Sequence, residues 1–487
     1  MRFSVIPYPE KIEITPGRAV INHLTPVACK RDERIVTEGY RLIFNENGFT
    51  VFSSDKRGEF YAFQTIKQIT AGHKNYAVPF FEISDSPKFS HRGFMLDCAR
   101  HSFSLDEIKK VIDAAAMLKM NKFHWHLTDD QGWRIEIKSR PELMAVSSRR
   151  KKSTFGDVVD NNAYCAFFTQ EQIKDIVNYC AARYIEVIPE IDMPGHTSAL
   201  LAAYPELSCS GEKCEVETKQ GIFKNVLCVS NEKTYDFLYD VLDEVCELFP
   251  GRYIHIGGDE TPTDNWQKCP HCSKMKEEKN LASYSALQGW FTKYITDYLK
   301  FKGKQAIVWN ESLKGDYLGK DDIIVQRWMD KENLSYDFAN KGGKIIESDF
   351  FHYYFDYPFA MTPLKKAYRF SPHNKLLNSN GRKNVVGVEA ELWTEFVRNF
   401  DTLCIRLFPR ICAVAETAWC KNKPKYKDFE IRQLMLNDLF EQNGIKIVDL
   451  NEWNPNPISS LAGLIKFYKT FVTADVIKDF FIPDKKN

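Results

Sequence analysis

Residues 92–127 read RGFMLDC, then ARHSFSLDEIKKVIDAAAMLKM, then NKFHWHL. The two outer pieces are short apolar runs bounded by turn signals, as buried strands are. The middle piece carries apolar residues at 108, 111, 112, 115 and 118, the spacing of one helix face, and Ser104-x-x-Glu107 ahead of it forms a capping box. Strand, helix and strand make one βαβ unit, and parallel crossovers of this kind are right-handed.

The same alternation extends along the chain. Eight strand-like runs can be placed at Gly93–Cys98, Asn121–Leu127, Tyr184–Pro189, Tyr253–Gly257, Gln305–Trp309, Ile323–Trp328, Lys344–Ser348 and Val385–Glu389. Helical patterns separate most of them: Leu105–Lys119, a second from the capping box Thr169-x-x-Gln172 to about Ala182, and a third over about Glu232–Phe249. Eight strands with crossover helices predict an α/β fold, a (β/α)8 TIM barrel. An open doubly wound sheet is the alternative, but no Gly-rich phosphate-binding fingerprint follows the first strand.

Ahead of the barrel, Glu38–Phe44 and Phe49–Ser53 flank Asn45-Glu-Asn-Gly48, a hairpin signal, and a helix follows at about Arg57–Thr70 with Phe60, Phe63 and Ile66 on neighbouring turns. The expected division is a small α+β domain over 1–87, the barrel over 88–440, and a helical extension packing on it over 441–487. The barrel region exceeds the roughly 250 residues of a typical barrel. The excess lies in 129–168, 190–230, 259–282 and 349–384, all following strand C-termini, the face where such barrels keep their chemistry.

Composition narrows the function. Lys plus Arg is 66 and Asp plus Glu is 65, so a net charge of +1 gives no general attraction to nucleic acid or an anionic membrane. No apolar run reaches the roughly 18–20 residues of a membrane span. The first residues have no signal-peptide core, which points to the cytoplasm unless a leader has been removed, in which case a periplasmic, secreted or lysosomal setting is open. Thirteen Cys, odd in number and dispersed, favour free thiols. Cys269-Pro-His-Cys272 has zinc-knuckle spacing, but no second pair lies nearby to complete four ligands, so metal, disulfide and free thiols all stay open. Aromatic residues at 14% would suit a pocket that grips sugar faces, although core packing accounts for most of them.

The expected strand ends supply Asp97, Arg100, Asp129, Asp130, Glu190, Asp192, His196, Asp259, Glu260, Trp309, Glu311, Trp328, Tyr354, Asp356, Trp393 and Glu395. So many carboxylates and Trp at one mouth suggest an enzyme acting on a polar substrate. The sharpest segment is His255-Ile-Gly-Gly-Asp-Glu260. Neighbouring strand residues point to opposite faces, so both carboxylates reach one ligand only if the strand has ended, which Gly257-Gly258 permits. Two close carboxylates should raise one pKa, keeping a general acid protonated near neutral pH.

Five motifs carry a specific resemblance: Arg92-Gly-Phe-Met-Leu-Asp-Cys-Ala-Arg-His101, Phe123-His-Trp-His-Leu-Thr-Asp-Asp130, Pro189-Glu-Ile-Asp-Met-Pro-Gly-His196, His255–Glu260 and Glu389-Ala-Glu-Leu-Trp-Thr-Glu395. In order and position they resemble the family 20 glycoside hydrolases, the β-N-acetylhexosaminidases, over about 90–420. The resemblance implies a retaining exo-enzyme that releases terminal β-linked GlcNAc or GalNAc without a cofactor, its partner a glycan with a terminal N-acetylhexosamine. The substrate's 2-acetamido oxygen is then the nucleophile, a known exception to the two-carboxylate scheme.

The resemblance also implies roles. Glu260 is the acid and base, Asp259 orients the acetamido N–H, and Tyr354 donates to the acetamido oxygen. Arg100, Glu395 and Asp356 bind hydroxyls, Trp309, Trp328 and Trp393 wall the pocket, and Asp129 and His196 support Glu260 from behind. Tyr164-Cys-Ala-Phe-Phe-Thr169 and Tyr184 depart from the family pattern, where glycines are usual. Bland readings make His124, His126 and His255 structural, Asp97 and Glu190 either supporting groups or salt-bridge partners, and Arg149-Arg-Lys-Lys152 a solvated loop face. Two rival functions remain: a non-catalytic N-acetyl-sugar-binding barrel, and a metal-dependent amidohydrolase-like barrel using His124, His126 and Asp259.

Overall fold

The computed structural model describes residues 3–22, 24–72, 76–156 and 158–471; the end of the expected C-terminal extension, 472–487, lies outside them. Eight parallel strands close into a barrel: His91–Asp97, Lys122–Asp129, Glu186–Ile191, Tyr253–His255, Gln305–Trp309, Ile323–Arg327, Lys344–Glu347 and Val385–Ala390. Closure is complete because the third strand pairs with both the second and the fourth, and the eighth pairs with the first. The helices Leu105–Met117 and Gln170–Ala181 start at the two expected capping boxes, Ser104 with Glu107 and Thr169 with Gln172, each reciprocal. The third helix spans Glu232–Leu248.

Inside the barrel the side chains form layers, since residues two apart on a strand face the same way. Ile188, Ile307, Ile324 and Ile346 make a small apolar cluster. Two residues further along the same strands stand Glu190, Trp309, Gln326 and Ser348, so the interior turns polar toward the C-terminal mouth. Gln326 Nε2 donates to Ser348 Oγ at 3.0 Å, Glu389 Oε1 at 2.8 Å and Glu391 Oε1 at 2.9 Å.

The N-terminal residues form a five-stranded sheet in the order Lys11–Val20, Ala77–Asp85, Tyr40–Asn45, Gly48–Ser53 and Val27–Arg31. Its hairpin turns at Glu46-Asn47, with Gly48 at φ +95°, where a Cβ would lie 2.4 Å from the Pro26 carbonyl oxygen. The helix Lys56–Gly72 packs on it by Tyr61, Ala62, Thr65 and Ile69, and Phe63 is exposed. A buried junction ties this layer to the barrel. Lys119 Nζ lies 3.0 Å from Asp85, which also accepts from Tyr40 Oη at 2.7 Å and Trp419 Nε1 at 2.9 Å.

The C-terminal helices are Tyr426–Gln442, Leu450–Trp453 and Pro457–Phe471. Among the described residues no helix is long and apolar enough to cross a membrane. The expected solvated run 149–152 needs correcting at Arg150, which is buried, with its guanidinium 4.1 Å from the Tyr164 ring centre. Tyr184 adopts φ +59°, which explains why glycine would suit that position.

Candidate active site

The fourth strand stops at His255, and its continuation bends through Gly257 at φ +63° and Gly258 at φ +94° into Glu260 at φ +43°. The glycines are sterically required. A Cβ on Gly257 would sit 1.7 Å from Asp192 Oδ1, and one on Gly258 would sit 2.3 Å from Ser312 Oγ. Asp192 and Gln288 hold the bend, accepting from Gly258 N at 3.1 Å and donating to Gly258 O at 2.8 Å. Left-handed backbone at a non-glycine residue costs energy, and here it turns Glu260 to the same side as Asp259.

His196 joins the two carboxylates. Its Nε2 lies 3.8 Å from Asp259 Oδ2 and 3.7 Å from Glu260 Oε2, while Nδ1 lies 3.2 Å from Asp129 Oδ1 and 3.1 Å from Asp130 Oδ2. Burial disfavours charge on this ring, yet Asp129, Asp130 and Asp259 together hold its pKa well above the usual imidazole value. Burial likewise opposes charge on Asp129, but Arg100, at 2.7 Å, and His196 keep it ionised, below the usual carboxylate range.

Burial pushes the Glu260 carboxyl up to about 7; His196 opposes the rise and the charge of Asp259 adds to it. The side chain is still 29% accessible, so a ligand filling the mouth would desolvate it further. Burial also raises Asp259, against His196, with Glu190 and Asp129 contributing. Its Oδ1 is buried and has no hydrogen-bond partner, an acceptor aimed into the site.

The aromatic groups form one wall. Trp328 stacks on Tyr354 with ring centres 5.9 Å apart, Tyr354 lies 6.3 Å from Trp393, and Trp393 lies 6.1 Å from Trp309. Trp309 is the deepest, its Nε1 donating to Glu190 Oε1 at 2.8 Å. Arg100 lies 5.0 Å over the Trp393 ring, 3.3 Å from Asp97 and 3.9 Å from Glu395. Asp356 is buried with Oδ1 unpartnered, and burial together with Glu395 raises its pKa strongly. All eleven of the expected site residues therefore stand around one mouth.

Two groups outside the expected site set gain definite partners in the geometry. Glu311 accepts from Trp328 Nε1 at 2.9 Å, and burial with the nearby Asp259 charge pushes its carboxyl up to about 8. Its position two residues beyond Trp309 was the available signal. Glu190 is a buried hub, bonded to His126, 2.9 Å from His255 Nδ1 and 3.1 Å from His124 Nε2. His124 also reaches Glu389 at 2.8 Å, and His126 reaches Asp129 at 3.0 Å. These histidines are thus committed to carboxylates within the barrel, as the bland reading has it. A separate cleft of about 600 Å³, lined by Lys88, Lys365, Arg369 and Lys423 among others, contains no carboxylate.

One expectation about cysteine is overturned. Cys269 and Cys272 do have a second pair beside them, because the fold brings Cys209 and Cys228 to the same point.

Known proteins resemble this chain over most of its length. Residues 89–422 match the catalytic domain of glycosyl hydrolase family 20, and 27–86 match domain 2 of that family. A β-hexosaminidase of Porphyromonas gingivalis is 38% identical over 414 residues, covering 80% of this chain and 52% of that protein; the chain thus spans about half the length of that relative. The crystal structure of β-N-acetylhexosaminidase from Bacteroides fragilis superposes with a TM-score of 0.78 at 33% identity, covering 91% of this chain and 96% of that one. A mutant Streptomyces plicatus β-hexosaminidase in complex with GlcNAc superposes with a TM-score of 0.80 at 27% identity, over 93% and 97% of the two chains.

Proposed function

The chain belongs to glycosyl hydrolase family 20, and from that premise we propose that it is a retaining exo-β-N-acetylhexosaminidase in which the substrate supplies the nucleophile. The observation that carries the reading is the Asp259–Glu260 bend, where one carboxyl is held near a pKa of 7 beside a second, unpartnered carboxylate oxygen. A general acid works best with a pKa close to the operating pH.

The reaction runs as follows. A terminal β-linked GlcNAc or GalNAc enters with its ring against the Trp wall. Glu260 protonates the glycosidic oxygen while the acetamido oxygen attacks the anomeric carbon from the other face, closing an oxazolinium ring. Asp259 accepts the acetamido N–H through its free oxygen and offsets the positive charge as it grows. Tyr354 donates a hydrogen bond from its phenol O–H to the acetamido oxygen. Burial raises its pKa far above the usual value, so the donor stays protonated. Water, deprotonated by Glu260, then opens the ring from the face the leaving group vacated, and configuration is retained.

Arg100, Glu395 and Asp356 bind the ring hydroxyls, and Trp309, Trp328 and Trp393 enclose the acetamido methyl. The Asp129–His196 pair behind Glu260 steadies the carboxyl as it gains and loses its proton. The GlcNAc seen in the Streptomyces plicatus complex fits this substrate class. A polar glycan is the partner, with neither nucleic acid nor membrane insertion involved.

The test is chemical. A stable thiazoline analogue of the cyclised intermediate should bind far more tightly than the product sugar, as transition-state-like ligands do, and the matching aryl glucoside, lacking the acetamido group, should be almost inert. Ready hydrolysis of the glucoside would mean that a protein carboxylate attacks instead. Aryl β-GlcNAc, β-GalNAc and 6-sulfo-β-GlcNAc compared side by side then define the preferred sugar.

A further inference from the structure

Four cysteines from two different segments of the chain meet at one point. Cys209 and Cys228 lie on the loop that follows the third strand, and Cys269 and Cys272 lie at the start of the helix Pro270–Glu278, in the segment between the fourth and fifth strands. Their four sulfurs are all within 4.8 Å of one another. Cys272 Sγ is 3.8 Å from Cys209 Sγ and 3.7 Å from Cys228 Sγ. Four thiolates bound tetrahedrally at a Zn–S distance of about 2.3 Å have sulfurs about 3.8 Å apart. A disulfide would instead need a sulfur pair at about 2.05 Å.

We propose that Cys209, Cys228, Cys269 and Cys272 hold one structural Zn²⁺ ion that pins the loop after the third strand to the segment after the fourth.

The surroundings suit such a site. Cys228, Cys269 and Cys272 are buried and Cys209 is half-buried, a closed set of ligands with no open position for substrate, as structural zinc requires. Cys269 caps the helix Pro270–Glu278 and Cys272 lies in its first turn, the arrangement that lets a C-x-x-C pair chelate from one side. His271 between them is exposed, so it faces away from the sulfurs. Ser230 Oγ lies 3.3 Å from Cys228 Sγ and 3.2 Å from Cys272 Sγ, placing a hydroxyl donor beside two thiolates in the way outer groups support metal ligands.

The loop itself explains why a staple is needed. Between the short helical turn Pro205–Leu207 and the helix Glu232–Leu248 no helix or strand is formed, and so long an irregular stretch needs an anchor in a compact fold. Cys209 and Cys228 stand at its two ends, next to the bridge between Ser208 and Leu227. The metal would close the base of the loop and fasten it to the segment carrying Trp266, whose Nε1 donates to Leu227 O at 2.9 Å. Upstream the same loop carries His196, and upstream of Cys269 stand Asp259 and Glu260, so the staple bears on the relative position of these groups. Binding displaces the thiol protons, Zn²⁺ plus four S–H giving four H⁺ and a site of net charge about −2.

The test begins with the metal content of the full chain, expressed with zinc in the medium and purified without a metal-affinity tag. About one zinc per chain is expected, released by a thiol-specific mercurial. Cys228→Ser and Cys272→Ser should lose it and melt several degrees lower, whereas Cys214→Ser, a neighbouring thiol outside the cluster, should keep it. Cobalt reconstitution gives a readout independent of variant folding, the thiolate charge-transfer and d–d absorption of a tetrahedral Co²⁺ site. A zinc-free wild-type chain, a thiol count revealing disulfides among these four, or stoichiometric iron in place of zinc would each overturn the assignment.

Discussion

Replacing Asp259 by Asn removes one charge from the pair and leaves its shape. Asp259 Oδ2 and Glu260 Oε2 lie 3.8 and 3.7 Å from the same His196 nitrogen, so they are at most 7.5 Å apart. At that largest separation two unit charges interact by at least about 2 kcal/mol at an effective dielectric of about 20, and by at least about 0.5 kcal/mol at that of water. One pKa unit corresponds to about 1.4 kcal/mol, so losing the Asp259 charge should lower the Glu260 pKa by at least about 0.4 units if the pair is fully water-screened and at least about 1.6 at a dielectric of about 20. The negative charge favours protonated Glu260, and its removal must therefore move the pKa down from about 7. The basic limb of kcat/KM against pH, which reports the free enzyme's acid, should shift to lower pH by that amount. In parallel, kcat should fall about 10²–10³-fold, as when charge aimed at a developing opposite charge is removed. That loss should be similar for good and poor leaving groups, because Asp259 does not carry the leaving-group proton. The assay is a pH–rate series on two aryl β-GlcNAc substrates of different leaving-group pKa. A kcat close to wild type, or a basic limb displaced upward, would refute the roles given to this pair.

Glu260→Gln should lower kcat by at least about 10²-fold, least for an activated aryl leaving group that needs no proton; equal losses on activated and unactivated substrates would remove Glu260 from the acid role. His196→Gln should shift the basic limb the other way, to higher pH, since the imidazolium lowers the Glu260 pKa; an unmoved limb would show that the two are not electrostatically linked. Gly257→Ala should reduce both activity and melting temperature, because the new Cβ falls 1.7 Å from Asp192 Oδ1 at a φ of +63°, and a wild-type melting curve would contradict the required bend. Glu190→Ala should destabilise the fold by roughly 3–5 kcal/mol, the usual cost of breaking a buried ion pair, because it strands His126, His255 and Trp309; denaturant titration measures it, and a change below about 1 kcal/mol would reduce the hub to a bystander.

The barrel was legible in the sequence because its signals are local. Apolar runs, the capping boxes at Ser104 and Thr169, and loop excess after strand ends each depend on residues a few positions apart, and the structure places strands and helices within a few residues of those positions. The Asp259–Glu260 pair was legible for the same reason, since two adjacent carboxylates after two glycines announce a bend. The helix Lys56–Gly72 was legible as a helix, whereas the face it buries, with Tyr61 and Ile69, is selected by the sheet it packs on.

Other features depend on closure. Glu190 becomes a hub only when the second, fourth and fifth strands surround the third, and Arg150 is buried only because Tyr164 and Gln131 fold over it. The value of about 7 at Glu260 comes first from desolvation, which no spacing encodes. The cysteines divide the same way. Cys269 and Cys272 could be paired from their spacing alone, whereas Cys209 and Cys228 join them through the path of a long irregular loop. Sequence therefore determined what repeats within a few residues, and tertiary structure decided what meets across the barrel mouth, because contacts and dielectric there are set by chain closure rather than by neighbouring residues.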